Sequence, residues 1–305
     1  MDEKRRPHGI CAAILTPLDA DDRPDAARFV ARARTLLAEG CDALNVLGTT
    51  GEANSIALAE RRRFIEAVAA SGLPLERMMV GTGTPALHDT IELTRAVASA
   101  GFGGALILPP FYYKPLNDDD LLAYFGRVIE AVERIPIYLY NFPQMSGIAY
   151  PVSFVGRLVA AHPGRVAGIK DSSGDLAYCR RLKDEVPGLD IFPSSEAYLL
   201  EARRQGYAGC ISATVNVTSA ASRRVWSGPE DEDAQTALTA MRVAIASVPL
   251  IPAVRFLTAT VTGDPAWERM LPPLRPLDAE QRTRLLERLE KTEFDVYPSS
   301  MFSKK

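Results

Sequence analysis

The sequence predicts a (β/α)8 barrel followed by a helical extension. Eight short apolar runs recur along the chain, each bounded by turn residues, and longer amphipathic segments lie between them. Strands that alternate with helices imply parallel pairing, with the helices outside. The stretch from about residue 9 to 228 also has the size that eight such units need. A doubly wound open sheet is the rival that alternation leaves open, but eight regular units close naturally into a barrel.

The first three runs are "GICAAILTPL", "ALNVLGTT" and "RMMVGTG". "GALILPPF", "IPIYLYNFP" and "VAGIKDSS" follow, then "LDIFPSS" and "GCISATVNV". Among the intervening segments, "LAERRRFIEAVAAS", "ALHDTIELTRAVASAG" and "NDDDLLAYFGRVIEAVE" carry apolar residues at helical spacing. Asn117, with Asp118 to Asp120 behind it, is a cap with negative charge on a first turn. Gly40, Gly72, Gly101 and Gly206 each close a helical pattern just before the next strand. After "WSGPEDED" the strand pattern stops, and "DAQTALTAMRVAIASVPLIPAVRFLTATVTG" and "LDAEQRTRLLERLEK" read as helices. The expected organisation is a catalytic barrel over 1–228 and a C-terminal helical extension over 229–305. The apolar faces of that extension need burial against the barrel or a second subunit.

Composition excludes several classes. With 47% apolar and 24% charged residues the chain is an ordinary globular one. A net charge of −3 gives no electrostatic case for nucleic acid or an anionic membrane surface, and no apolar run has the length of a span. "MDEKRRPHGI" is charged, enters a strand at once and lacks the apolar middle of a signal peptide, so a cytoplasmic location is expected. Cys11, Cys41, Cys179 and Cys210 are far apart and read as buried thiols in a reducing compartment. Three isolated histidines, His8, His88 and His162, make no metal-ligand spacing, and no Gly-x-Ser-x-Gly elbow appears; neither a metal nor a cofactor is expected.

In a barrel the chemistry sits where strands end and βα loops begin. "VAGIKDSSGD" ends an apolar strand on Lys170. Such a lysine either snorkels into solvent or has a task that offsets its desolvation. Strand parity places Val166, Gly168 and Lys170 on one face and Ala167 and Ile169 on the other. If the second face meets the helices, Lys170 points into the barrel mouth and Gly168 leaves room beside it. On the preceding strand, Ile137 and Leu139 share the helix face, so Tyr138 and Tyr140 look inward. A desolvated amine favours its neutral, nucleophilic form and can attack a ketone to give a carbinolamine, then an imine. A phenol can relay the protons those steps move. "GTTGE", Gly48 to Glu52, ends the second strand; its hydroxyls and turn amides could clamp a carboxylate, or form only a capped turn.

"GTTGE", "LPPFYYKP", "YLYNFPQMSG", "GIKDSSGD" and "GCISATVNV" occur in an order and spacing that resemble the dihydrodipicolinate synthase / N-acetylneuraminate lyase superfamily, across essentially the whole chain. The resemblance implies a class I, pyruvate-dependent aldolase. In it Lys170 matches the Schiff-base lysine and Tyr140 the proton-shuttling phenol. Thr49 and Thr50 match the pair that holds the pyruvyl carboxylate, with one hydroxyl in the proton relay. Tyr112, rather than Tyr113, matches a tyrosine extended into the neighbouring subunit's site, which implies a homo-oligomer, a dimer or tetramer. Ile211 matches an apolar wall beside the imine.

One position departs from the synthases. They resemble "YNVPSRTG" here, with an arginine that grips the distal carboxylate of aspartate semialdehyde, whereas this chain has Met145. A thioether cannot replace that bidentate contact unless a neighbouring arginine compensates. The lyases carry an apolar residue there. The expected activity is therefore cleavage or condensation of a sugar-acid-type 2-keto acid, with pyruvate as the imine-bound part and an aldehyde or keto acid as its partner. Dihydrodipicolinate synthesis, dehydration of a keto-deoxy sugar acid, and a keto acid-binding protein without turnover are the alternatives. Glu196 aligns with an acid that binds sugar hydroxyls, but could equally cap the following helix. Ser194 and Ser195 are hydroxyl contacts or loop residues.

Overall fold

The computed structural model describes residues 6–294, so the last part of the expected extension, 295–305, lies outside the described residues. All eight expected strands form: β1 Gly9–Ala13, β2 Ala43–Val46, β3 Met78–Gly81, β4 Gly104–Ile107, β5 Ile137–Asn141, β6 Val166–Asp171, β7 Asp190–Pro193 and β8 Gly209–Ser212. They pair in parallel in the order β7-β6-β5-β4-β3-β2-β1-β8. Across the remaining seam the Ala208 amide donates to the Ile191 carbonyl at 3.0 Å, which brings β8 back against β7. The rival open sheet is thereby excluded.

Helices α1 Ala26–Glu39, α2 Leu58–Ala69, α3 Leu87–Ala100 and α4 Asp118–Ala131 pack outside the first five strands. The short α5 Pro143–Ser146 and then α6 Val152–Ala161 follow β5; α7 Leu176–Glu185, α8 Leu199–Arg204 and α9 Val215–Ser227 complete the ring. Asn117 and Asp120 form a reciprocal capping box at the start of α4, as the acidic run there suggested. Gly40 and Gly101 close α1 and α3 with positive φ.

Two cores result. The larger lies between the strands and the helices; the smaller fills the barrel with Cys11, Met79, Leu106, Tyr138, Phe192 and Ile211 among its members. Tyr138 and Tyr140 face inward, as alternation requires. Strict alternation fails at the start of β6. The pairing with β5 slips between Ile137↔Val166 and Tyr138↔Gly168, so Ala167 is an extra residue. Val166 therefore joins the outer core and Ala167 the inner one, the reverse of the expected faces, while Ile169 and Lys170 keep theirs. Gly168 makes room for the Tyr138 ring and the β7 backbone: a Cβ there would meet Asp190 O at 2.5 Å and Tyr138 Cδ1 at 2.9 Å.

Beyond the barrel lie α10 Glu232–Ile245, α11 Leu250–Thr262 and α12 Ala279–Leu289. Helices α10 and α11 meet in a bend of 107°, and no single helix among the described residues is long and apolar enough to cross a membrane. Their apolar faces close on one another around Leu257, Trp267 and Leu285, and on Leu15, just past the end of β1. The helical extension is thus anchored over the C-terminal rim of the strands.

Candidate active site

At that rim β5 and β6 run in register, with Tyr140 opposite Lys170 and Asn141 opposite Asp171. Lys170 Nζ lies 4.2 Å from the centre of the Tyr140 ring, and both residues are buried. The Tyr140 hydroxyl is 3.1 Å from Thr49 Oγ1. One strand end thus supplies the amine, its neighbour the phenol, and the turn after β2 a hydroxyl to hold the phenol in place.

Each member has a local support. Asn141 donates to Asp171 at 2.6 Å and Ser173 Oγ donates to the other carboxylate oxygen at 2.7 Å, so the two strand ends are tied together directly beyond Tyr140 and Lys170. Burial pushes the Asp171 carboxyl above its ordinary range, against the lowering effect of these hydrogen bonds. The Gly48–Glu52 turn is bracketed by two non-glycine residues with left-handed backbone, Leu47 (φ 52°) and Glu52 (φ 55°). Such residues cost on the order of 1 kcal/mol each and persist only where the surroundings hold them. Here Glu52 forms an ion pair with Arg255 of α11, both side chains fully buried. Gly81 lets β3 approach this turn, since a Cβ there would lie 2.0 Å from Leu47 O.

Lys170, Tyr140, Thr49, Thr50, Ile211 and Met145 all line one cavity of about 410 Å³. Ser172 and Ser194 add hydroxyls to its wall, whereas Ser195 caps the 3-10 turn that begins at Glu196. A larger cleft of about 730 Å³ lies between α1, α9 and α11, but it contains neither the lysine nor the phenol. Chemistry, not size, selects the smaller cavity. Among the described residues no group of three or more His, Cys, Asp or Glu side chains could hold a metal.

Glu196 does not line this cavity, and Tyr112, expected to reach a neighbouring subunit's site, does not line it either. Glu196 is completely buried and accepts hydrogen bonds from Ser212, Thr214 and Thr218, the last at 3.0 Å. Its carboxylate fastens the turn after β7 to β8 and α9; it neither lines the cavity nor caps the helix through its side chain. Tyr112 is 72% exposed on the loop after β4, edge-on to Tyr113 at 5.2 Å, and does not line the cavity of its own subunit.

The sequence reading gave the extension no residue in the site, yet it contributes several. Pro249, Leu250, Ile251, Pro252 and Leu274 form an apolar wall, and Arg242 of α10 adds a guanidinium. Arg242 is half-buried, donates to Thr214 Oγ1 at 3.1 Å, and has no ion-pair partner among the described residues. The signal for it was an arginine set inside the apolar helical run "AMRVAIA".

Parallel barrel, strand-end lysine and rim cavity are the features of an enzyme site, and the chain's relatives place it in the lyase class. The chain belongs to the Dihydrodipicolinate synthetase family, whose model matches residues 6–292. It is 34% identical over 281 residues to a DapA-like lyase of Chloroflexus aurantiacus, covering 90% of this chain and 93% of that one. The crystal structure of dihydrodipicolinate synthase from Agrobacterium tumefaciens superposes with a TM-score of 0.87 at 31% identity, over 94% of this chain and 99% of that one. YagE, a prophage protein of the same family from E. coli K12 solved in complex with pyruvate, superposes with a TM-score of 0.86 at 25% identity, over 94% and 99% of the two chains.

Proposed function

We propose that the protein is a class I aldolase that acts through an imine between Lys170 and pyruvate. The observation that carries this reading is the buried lysine packed at 4.2 Å on a phenol whose hydroxyl is held by Thr49 at 3.1 Å. Lys170 Nζ adds to the ketone carbon of a 2-keto acid, and Thr49 and Thr50 receive its carboxylate. Tyr140 gives its proton to the carbinolamine hydroxyl. The C–O bond breaks, water leaves with that electron pair, and the nitrogen lone pair forms C=N. In the cleavage direction the Tyr140 phenolate takes the C4 hydroxyl proton, the electrons of the C3–C4 bond move into the iminium to give an enamine, and the acceptor leaves as an aldehyde; Tyr140 then returns that proton to C3, which restores the iminium. Hydrolysis then returns pyruvate and the lysine. Incubation with pyruvate and borohydride followed by peptide mapping tests this. Labelling at Lys170 is expected; labelling elsewhere, or none, overturns it.

The acceptor half of the substrate should end in an acidic group. Met145, 65% exposed, offers no charge, but Arg242 stands in the same cavity without a carboxylate partner among the described residues. This favours a keto-deoxy sugar acid with a second acid group at its far end. Arg242 also supports the second reading, condensation with aspartate semialdehyde, because it is the compensating arginine that reading requires. Arg242→Gln should lower kcat/KM for substrates with a distal carboxylate by about 1.5–3 kcal/mol, roughly ten- to a hundredfold, the scale of a hydrogen bond to a charged group. Keto acids that end in a hydroxyl should be little affected. Equal losses for both substrate types would remove Arg242 from recognition, and comparing the two acids in the unaltered enzyme separates the two readings.

Tyr112 is proposed to act in the cavity of a second subunit. Its exposure, its aromatic partner Tyr113 and its absence from its own subunit's cavity support this. Sedimentation at micromolar concentration should show a dimer or larger assembly. A fully active monomer would contradict it.

A further inference from the structure

The run Arg61-Arg62-Arg63 sits on the first turns of α2. Arg62 pairs with Glu66 and Glu92, and Arg63 with Glu60, all on the surface. Arg61 does the opposite. It shares the helix face of Phe64, Ile65 and Val68, and it is 4% exposed. Its Nη2 donates to the Gly81 carbonyl at 3.1 Å, its Nε is buried without a partner, and no carboxylate lies within ion-pair distance among the described residues. Burial pushes its pKa down to about 10, so the side chain still carries its charge at neutral pH. A buried, unneutralised cation is costly, and one hydrogen bond to a strand end does not offset it.

Its position gives the reason. Arg61 borders a small void of about 10 Å³ whose other walls include Thr49, Gly48 and Tyr140. That is room for roughly one water bordered by Arg61, Thr49 and Tyr140. We propose that Arg61 is a positioning residue for proton transfer: its buried positive charge, set behind the Thr49–Tyr140 pair, stabilises the phenolate that Tyr140 becomes each time it gives up its proton. The inference rests on the imine mechanism above and assigns a part to a residue that touches neither substrate nor lysine.

Among the described residues, the other charged groups approach the phenol from three elements. From β6 they are Lys170 and Asp171, the latter engaged by Asn141 and Ser173. From α10 there is Arg242, across the cavity. Beyond Thr49 and Thr50, the turn after β2 brings Glu52, which is neutralised by Arg255. The acid whose field reaches Arg61 is Asp89, in the first turn of α3. Arg61 is thus, among the described residues, the buried cation that shares the void with Thr49 and Tyr140.

Arg61→Met keeps the volume and removes the charge. The melting temperature should stay level or rise, because an unpaired buried charge has gone. Yet kcat should fall tenfold or more, and the basic limb of the kcat/KM profile should move up by about one pH unit. Borohydride labelling of Lys170 by pyruvate should slow by a similar factor, since the same proton transfer drives imine formation. Arg61→Lys, which keeps a charge, should keep the limb of the unaltered enzyme. If the Met variant does not fold, Arg61→Gln is read in the same way. A variant without the charge but with an unchanged limb overturns the proposal, whether its rate is normal or reduced, because loss of packing alone slows turnover without moving a limb. If unaltered enzyme is labelled at Lys170 and the limb stays put, only the role of Arg61 fails. If unaltered enzyme is not labelled, the imine reading itself fails.

Discussion

Lys170→Ala is expected to fold and to lose turnover by about four orders of magnitude or more, the scale on which removing a covalent nucleophile acts. Folding should survive because the side chain makes no ion pair among the described residues, and its removal relieves the burial of an amine. The loss should be so large because the described residues offer no substitute. Of the described lysines, Lys114, Lys183 and Lys291 are exposed, and Lys170 alone is buried. Exposed amines are largely protonated near neutral pH and cannot gather a phenol, a hydroxyl and a closed cavity around them. Turnover and borohydride labelling should therefore vanish together. A variant that retained more than about a thousandth of the rate would have to form its imine elsewhere, or use none.

The amine and the phenol were legible because both lie on strands, where a period of two fixes which side chains turn inward. Ile137, Leu139 and Ile169 are unambiguous, and Tyr140 and Lys170 follow from them. The same rule misplaced Val166 and Ala167, because an inserted residue is invisible to a count of alternation; only the pairing of β5 with β6 reveals it. Glu196 was misread for a different reason. Its neighbours in sequence are loop residues, but its three partners, Ser212, Thr214 and Thr218, come from β8 and α9, so its carboxylate is consumed by contacts that local sequence does not record.

Arg61, Arg242 and Arg255 share a more general difficulty. Each sits at a position where helical spacing calls for an apolar residue, or within an apolar run, and each is wholly or half buried. Periodicity reports such a residue as an interruption and says nothing of what the guanidinium meets. Arg255 meets Glu52 in the turn that holds Thr49 and Thr50, Arg61 shares a small void with that turn, and Arg242 lines the cavity. The extension, read from sequence only as helices in need of a surface, therefore completes the site as well as burying itself.

The pair between Glu52 and Arg255 makes that dependence measurable. Arg255 donates to the Glu52 carboxylate, to Thr16 O at 2.7 Å and to Trp267 O at 3.0 Å; the Leu271 amide donates to Glu52 Oε2 at 3.0 Å. One guanidinium thus joins the loop after β1, the turn after β2 and two segments of the extension. Arg255→Met leaves a carboxylate buried without its cation and two carbonyls without their donor. Breaking a buried pair from one side costs about 3–5 kcal/mol, more than any surface ion pair in the chain can contribute. The urea midpoint should fall accordingly. Since Glu52 holds a left-handed backbone two residues beyond Thr50, the carboxylate clamp proposed at Thr49 and Thr50 should loosen too, and KM for the keto acid should rise more than kcat falls. The double variant Glu52→Gln with Arg255→Met removes the stranded charge and should recover part of the lost stability but not the affinity, because the turn is no longer held from α11. If the single variant loses less than about 1 kcal/mol, the pair is not sequestered from water as described. If stability falls and KM does not move, the turn is held by its own hydrogen bonds, Glu52 N to Thr49 O and Ala53 N to Gly48 O, and the extension serves the site only as a wall.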